Sequence, residues 1–151
     1  MTTSHPALAQ AAAALAAAEA LLARLLDALR ARLDAAAADH AEALRIEQAS
    51  AHGVAWAATT IDALRTALDW GVRLQQAGRL GELEVLLLRA GFAEYLAQLA
   101  GGLPMSQGET FRAATLDAAA VAAFAGDAAV QRLVADGFDA GARRRIAERL
   151  A

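Results

Sequence analysis

The sequence contains no cysteine, lysine or asparagine, only two prolines, and only 5% aromatic residues. Without cysteine it can form neither a disulfide nor a thiolate. The net charge is −3 with both signs mixed, which argues against a nucleic-acid-binding surface. Its apolar stretch Ala11–Ala18 is far shorter than the roughly 20 residues that a membrane span needs, and the N-terminus lacks the basic start of a signal peptide. We therefore expect a soluble, cytoplasmic protein with neither nucleic acid nor membrane as a partner.

Alanine and leucine dominate the residues that are present. The 151 residues are 58% hydrophobic, but much of that fraction is alanine, which adds little buried area per residue. This length is typical of one domain, so residues 1–151 are expected to form a single helical domain. The bias toward Ala, Arg, Leu and Gly is typical of a GC-rich bacterial genome. The patterns below predict an all-α antiparallel helical bundle.

The first predicted helix runs from Pro6 to Leu33. Ser4 can cap its free amides, and proline fits the first turn because no hydrogen-bonded N–H is lost there. Leucines recur every seven residues along one face: Leu8, Leu15, Leu22 and Leu29. A coiled coil is the alternative, but the alanines at the partner positions are too small to form strong knobs, which favours a bundle helix.

A long helical hairpin is predicted next, and it contains both tryptophans and the only tyrosine. Residues 34–40 could continue the first helix or form a turn, and we place a bend there. The predicted arms are Ala41–Ala77 and Gly81–Ala100. They are antiparallel because the connection Gly78–Gly81 is short.

The predicted hairpin spans residues 41–101. A loop followed by short helices is predicted after it. Residues 102–114 form the loop because Pro104 disfavours a helical residue before it. Short helices follow in residues 115–150: Thr115 caps one to Phe124, Asp127 caps one to Ala135, and Asp139 begins one to Leu150. Arg143–Arg145 in the last helix indicate a solvated helix end more than an anionic partner.

The first arm of the hairpin shows two neighbouring apolar stripes, which predict a wide buried sector. One stripe is Ile46, Ser50, Val54, Ala57, Ile61, Leu64 and Leu68; the other is Trp56, Ala63, Ala67, Trp70 and Leu74. Gly53 lies among them, where glycine costs about 1 kcal/mol relative to alanine. Close packing against a neighbour explains Gly53 better than a kink or a ligand does. Trp56 and Trp70 are expected to pack in the core or a domain interface rather than to line a pocket.

Catalytic and metal-binding patterns are absent from the sequence. Glu47 precedes His52 by five positions, so the two do not share the helix face that a di-iron bundle requires. Ser50 is two positions from His52 and does not face it, while Ser106 has no evident base. No glycine-rich phosphate-binding motif is present. We expect no catalytic, cofactor-binding or metal-ligating residue in this chain.

Three strings of the central region are unusual in composition. They are EQASAHGVAW (Glu47–Trp56), GRLGELE (Gly78–Glu84) and GFAEYLAQLAGGLPMSQGE (Gly91–Glu109). All three resemble the helical N-terminal extension of methylsuccinyl-CoA dehydrogenase-like members of the acyl-CoA dehydrogenase family. The third string is the most specific, and the resemblance covers under half of the chain.

The resemblance implies a non-catalytic helical domain that docks on, or oligomerises, an FAD-dependent acyl-CoA dehydrogenase. The family oxidises acyl-CoA thioesters with FAD and a glutamate base, and both belong to a flavin domain to which no residue of this chain can be matched. FAD is therefore expected only in that associated domain. The expected partners are a flavin domain, in the same or another polypeptide, and further copies of this chain. The residues expected to make such contacts are Trp56, Trp70, Tyr95, Pro104, Met105 and Gln107.

Two alternatives remain open at this point. One is an independent helical adaptor, which would have a polar surface all round. The other is a small ligand-binding bundle with a pocket under the two tryptophans. That pocket needs convergent polar groups, and the sequence offers Glu94, Tyr95, Gln98 and His52. Glu94 itself is expected to face solvent or to pair with Arg89 or Gln98.

Overall fold

The computed structural model describes residues 5–36 and 39–151, which form seven α-helices and one two-stranded β-hairpin. This confirms the all-α bundle. The expected cap Ser4 and part of the expected bend, residues 37 and 38, lie outside the described residues. The elements are α1 (Pro6–Ala36), α2 (His40–Ile46), α3 (Gln48–Gln76), α4 (Glu82–Gly101), β1 (Leu103–Pro104), β2 (Thr110–Phe111), α5 (Ala114–Gly126), α6 (Ala128–Gly137) and α7 (Ala140–Leu150).

The first helix, α1, is the centre of the bundle, because it contacts α2, α3, α4, α5 and α6. It begins at Pro6 as expected and ends at Ala36, one turn later than the sequence predicted. At its start the ring Nδ1 of His5 accepts a hydrogen bond from the N–H of Ala7 at 3.2 Å. The N–H of His5 donates to Oε1 of Gln75 at 3.0 Å, which ties the beginning of α1 to the end of α3.

The first arm of the predicted hairpin is not one continuous helix, because it is interrupted at Glu47. That residue has φ −95° and ψ 18°, and it separates α2 from α3. The Glu47 carboxylate accepts a hydrogen bond from Ser50 Oγ at 2.7 Å and lies 3.7 Å from the Arg32 guanidinium. Glu47, the residue just before α3, therefore contacts Arg32 near the end of α1. At the start of α2, the Asp39 carboxylate caps the helix by accepting a hydrogen bond from the N–H of Ala41.

The turn between α3 and α4 follows the prediction closely. Gly78 has φ +67°, a left-handed conformation that glycine adopts without steric cost. The N–H of Gly81 donates to Oε2 of Glu84 at 3.0 Å, which begins α4. Helix α4 then packs on α3 on one side and on α6 on another. Gly137 of α6 is buried at the second contact, and a Cβ at residue 137 would stand only 2.3 Å from Cβ of Ala93.

The expected loop at residues 102–114 is instead a short β-hairpin followed by the start of α5. Leu103 pairs with Phe111 and Pro104 with Thr110 in antiparallel register. Leu103 and Phe111 are both buried, so the two side chains that face the core hold the strands together. The ring of Phe111 lies on Gly53 of α3, which confirms that Gly53 serves close packing.

The helix expected to begin at Thr115 is capped by a different residue. The Thr115 hydroxyl donates to the carbonyl of Arg112 at 2.8 Å instead of capping a helix. Asp117 has non-helical φ −145° and ψ 92° inside α5, and its carboxylate accepts from the N–H of Ala120 at 2.8 Å. Asp127 caps α6 as predicted. Asp139, at which the last helix was predicted to begin, caps α7.

No helix in residues 5–36 and 39–151 is, by itself, both long and apolar enough to cross a membrane. Helices α5 and α6 meet those criteria only when they are taken together, and they are bent by 70° at the break between them.

Candidate docking surfaces

Both tryptophans lie outside the core side of α3. The core side of α3 is formed by Gly53, Val54, Ala57, Thr60, Ile61, Leu64 and Gly71, all buried. We define the α3 outer face as His52, Trp56, Thr59, Ala63, Thr66, Ala67 and Trp70, which are exposed except for the half-buried Ala67 and Trp70. At 100° per residue these positions fall within one narrow sector of the helix.

Trp56 is 39% exposed, so of the two packings expected for it, the core of this chain is excluded and a domain interface stays a prediction. The buried sector of α3 is narrower than its two apolar stripes suggested, because its main helical neighbours, α1 and α4, leave Trp56 and Ala63 of the second stripe exposed. The burial of Trp70 is intermediate. In the other stripe Ile46 falls on α2 and is 51% exposed, since the interruption at Glu47 turns it out of line.

The indole of Trp56 is held by a neighbour one helical turn earlier. Its Nε1–H donates to Nε2 of His52 at 2.7 Å, and the two ring centroids are 6.4 Å apart. The hydroxyl of Thr59 donates to the carbonyl of Ala55 at 3.0 Å. These polar groups are satisfied within the helix, so the surface they form presents a ring and methyl groups to solvent. The His52–Trp56 pair was not among the predictions from the sequence, although the spacing of four positions is a usable signal.

A shallow depression of about 230 Å³ lies beside Trp56 and is lined by His52, Ala55, Trp56 and Thr59. Trp70 does not line it. The two tryptophans therefore do not enclose a common ligand pocket, as the ligand-binding alternative required. Of that alternative's polar candidates, only His52 reaches the depression.

Three further predicted contact residues lie on the β-hairpin. Pro104 is exposed on β1, Gln107 is exposed in the turn, and Met105 is half-buried against the core. The N–H of Met105 donates to the carbonyl of Glu109 at 2.9 Å, which closes the turn. Met105 lines a cleft of about 390 Å³ between the hairpin and the first turn of α3, together with Ala49, Ser50, Gly108, Glu109, Thr110, Phe111, Arg112 and Thr115. We call this the hairpin cleft.

The sixth predicted contact residue, Tyr95, lies on α4 and is 40% exposed. Its neighbour Glu94 is exposed and accepts a hydrogen bond from Nε2 of Gln98 at 3.1 Å, which confirms one of the two expected pairings. Tyr95 lines neither the depression at Trp56 nor the hairpin cleft. The structure thus groups the hairpin residues together and places Trp56 and Trp70 on a different surface.

A third concave surface, which the sequence analysis did not identify, is a groove of about 360 Å³ between α1 and α5. Its lining is mostly alanine and also contains Leu21, Phe124, Arg24 and Asp127. Arg24 donates to the Asp117 carboxylate at 2.7 Å. The hydrogen bond from the N–H of Ala120 is the larger cause that lowers the pKa of Asp117, and the Arg24 guanidinium lowers it further.

The basic run on α7 is engaged within the chain. Arg143 stacks over the ring of Phe138 at 5.4 Å, and Arg144 lies 3.7 Å from Glu148. Arg145 and Arg149 both reach Glu82 at the start of α4. These contacts are those of a solvated helix end, as the sequence favoured. Within the described part of the chain, no group of three or more His, Asp or Glu residues is placed to hold a metal ion.

Comparison with known proteins shows that the chain resembles part of an acyl-CoA dehydrogenase. It is 41% identical over 128 residues to the (2S)-methylsuccinyl-CoA dehydrogenase of Cereibacter sphaeroides. No protein-family model matches the chain. The similarity covers 85% of this chain, so it extends well beyond the three central strings. The chain spans only 23% of that relative's length.

Proposed function

We propose that this chain is the helical docking domain of an FAD-dependent acyl-CoA dehydrogenase of the methylsuccinyl-CoA type. It packs on the flavin domain and stabilises the assembled enzyme, while FAD and the catalytic glutamate belong to the flavin domain. The observation that carries the proposal is the 41% identity over 85% of the chain, within a relative more than four times as long as the matched region. The chain therefore corresponds to one part of a larger enzyme.

Exposed apolar side chains support a docking role for this part. Leu44, Trp56, Leu87 and Tyr95 are each about 40% exposed or more. A tryptophan and a tyrosine at such positions are the residue types that contribute most to protein contacts. The adaptor alternative expects a surface that is polar all round, and these side chains argue against it.

The test is a chimera in which this chain replaces the matching region of the C. sphaeroides enzyme. A second protein lacks that region altogether. We expect the chimera to bind FAD and to oxidise methylsuccinyl-CoA, and we expect the deletion protein to lose FAD occupancy or to melt at a lower temperature. FAD absorbance, turnover and thermal unfolding measure the three properties. A deletion protein with the FAD content, turnover and melting temperature of the intact enzyme would rule out a stabilising domain.

A further inference from the structure

The α3 outer face combines the exposed ring of Trp56 and the half-buried ring of Trp70 with an absence of charged side chains. None of its seven residues is an acid, an arginine or a lysine, over a length of about 27 Å at 1.5 Å per residue. The charged residues of the same part of α3 lie to one side, where Arg65 pairs with Glu19 of α1 at 2.8 Å and also with Asp62. A partner therefore meets a strip of methyl groups and rings that is bordered on one side by charged residues, of which Arg65 and Asp62 form ion pairs.

Three polar groups of this strip already have hydrogen-bond partners within α3. The His52–Trp56 hydrogen bond satisfies an indole donor and an imidazole acceptor at once, and the Thr59 hydroxyl is bonded to its own helix. Burial of such groups does not leave them without hydrogen bonds, which is the main penalty of burying polar atoms. The hydrogen bond also restricts the rotation of the Trp56 ring, so less side-chain entropy is lost when a partner covers it.

The area of the strip decides what kind of partner fits. A face about 27 Å long and about 10 Å wide offers roughly 270 Å², or about 540 Å² counted over both partners. Stable complexes between separate proteins bury about 1,200–2,000 Å², so this strip alone is too small to hold a second copy of the chain. Contacts between domains of one polypeptide begin near about 600 Å², so the strip lies just below that range and far below the range for separate proteins. The linking chain supplies a high effective concentration, which compensates for a small contact area.

We propose that the α3 outer face is the surface that docks on the flavin domain of the same polypeptide. The proposal rests on the proposed function, and it adds which face makes the contact and that the contact is between linked domains. The relative's length agrees with this, since 77% of that protein lies outside the region spanned by this chain. The surface of the flavin domain that meets α3 is apolar and uncharged, matching the strip.

The other two concave surfaces fit a docking partner less well. In the groove between α1 and α5, Arg24 is bonded to Asp117 and Asp127 is bonded to the N-terminal amides of α6. In the hairpin cleft, Glu109 and Arg112 introduce charges of both signs. A partner at either surface must compete with internal contacts or bury a charge, whereas a partner at the α3 outer face does neither.

The test is oxidative labelling with mass spectrometry, on the isolated chain and on the full-length chimera. We expect the labelling rates of Trp56 and Trp70 to fall several-fold in the chimera. Tyr95 is the matched control, because its exposure of 40% equals that of Trp56 within one per cent, and its labelling should not change. FAD absorbance of the same sample verifies that the flavin domain is folded.

The remaining outcomes separate this inference from the proposed function. If Tyr95 or Met105 is protected while the labelling of both tryptophans is unchanged, the domain docks through another face. That result overturns the inference and leaves the proposed function standing. Labelling that is equal at all positions overturns both. Protection of Trp56 that grows with the concentration of the isolated chain identifies a second copy as the partner, and this also overturns the inference.

A pair of variants tests the face without removing a packed side chain. Ala63→Arg places a charge between the two tryptophans, and Ala13→Arg places the same charge on an exposed position of α1. Both keep a good helix former, so circular dichroism of the isolated variants should match that of the parent chain. In the chimera, Ala63→Arg should restore rapid labelling of Trp56 and Ala13→Arg should not. Equal labelling of Trp56 in both chimeras would contradict docking through this face.

Discussion

The ring of Phe111 rests directly on the backbone of Gly53. A Cβ at residue 53 would stand 2.0 Å from Cδ2 of that ring, so only glycine fits beneath it. Through this contact the β-hairpin is attached to α3, and Leu103 is buried beside it in the same core. Glycine lowers the helix propensity of α3 at this position, but it leaves the space in which the buried ring of Phe111 packs.

Gly53→Ala should destabilise the protein even though alanine is the better helix former. The substitution gains about 1 kcal/mol of helix propensity, but overpacking a close contact typically costs about 1–3 kcal/mol, and more when the neighbour cannot move. Gly91→Ala on α4 is the control, because a Cβ there meets nothing within 4 Å, and it should stabilise the protein. Urea denaturation of both variants measures the difference. Stabilisation of similar size in both would show that the Phe111 ring moves freely.

Gly137→Ala should separate α6 from α4. The new Cβ would stand 2.3 Å from Cβ of Ala93 and 2.5 Å from the carbonyl oxygen of Arg89, and backbone atoms cannot rotate away as a side chain does. We expect a loss of about 1–3 kcal/mol, the usual range for overpacking. Gly126→Ala is the control, because residue 126 has open space around it. Thermal unfolding that ranks the two variants equally would contradict this account of the α4–α6 contact.

Trp56→Ala should cost far less stability than Phe92→Ala. Phe92 is fully buried, and truncating such a ring to alanine costs about 3–5 kcal/mol. Trp56 is 39% exposed, so its removal leaves no closed cavity, and we expect a loss of about 1 kcal/mol, within the range of most single substitutions. Chemical denaturation of the isolated variants compares them. A loss at Trp56 as large as that at Phe92 would mean that the indole is buried in solution.

The contribution of Asp117 to stability should disappear in acid. The N–H of Ala120 and the guanidinium of Arg24 lower the pKa of this carboxyl in the folded chain. Because the folded-state pKa lies below the unfolded one, its contribution is present above about pH 4, the usual value for Asp. It is lost as the pH falls through the folded-state pKa.

Asp117→Asn tests this pH dependence because asparagine keeps the shape and can still cap a helix. The stability difference between the parent chain and the variant should be largest at neutral pH and should shrink below about pH 4. Asp27→Asn is the control, since Asp27 pairs with Arg30 on the surface of α1, and such exposed pairs contribute little. Urea denaturation at pH 7, 4 and 3 gives the comparison. A difference at Asp117 that stays constant with pH would mean that the carboxyl is not held as a charged acceptor.

The helical architecture was predictable because its signals are local. Pro6 marks the start of α1, Gly78 marks the end of the hairpin's first arm, and Asp127 and Asp139 cap the last two helices, each through contacts within a few residues. The β-hairpin was missed because strands of two residues have no periodicity to detect. The interruption at Glu47 was missed because neither glycine nor proline marks it in the sequence.

For the candidate docking residues, too, some properties were predictable from the sequence and others were not. The spacing of Trp56 and Trp70 is enough to place them on one helix face. The exposure of Trp56 follows from the packing of the helices, because α1 and α4 both pack on the side of α3 that contains Gly53 and Ile61. Which of two apolar stripes is buried depends on where the neighbouring helices lie, and helix periodicity contains no information about those positions.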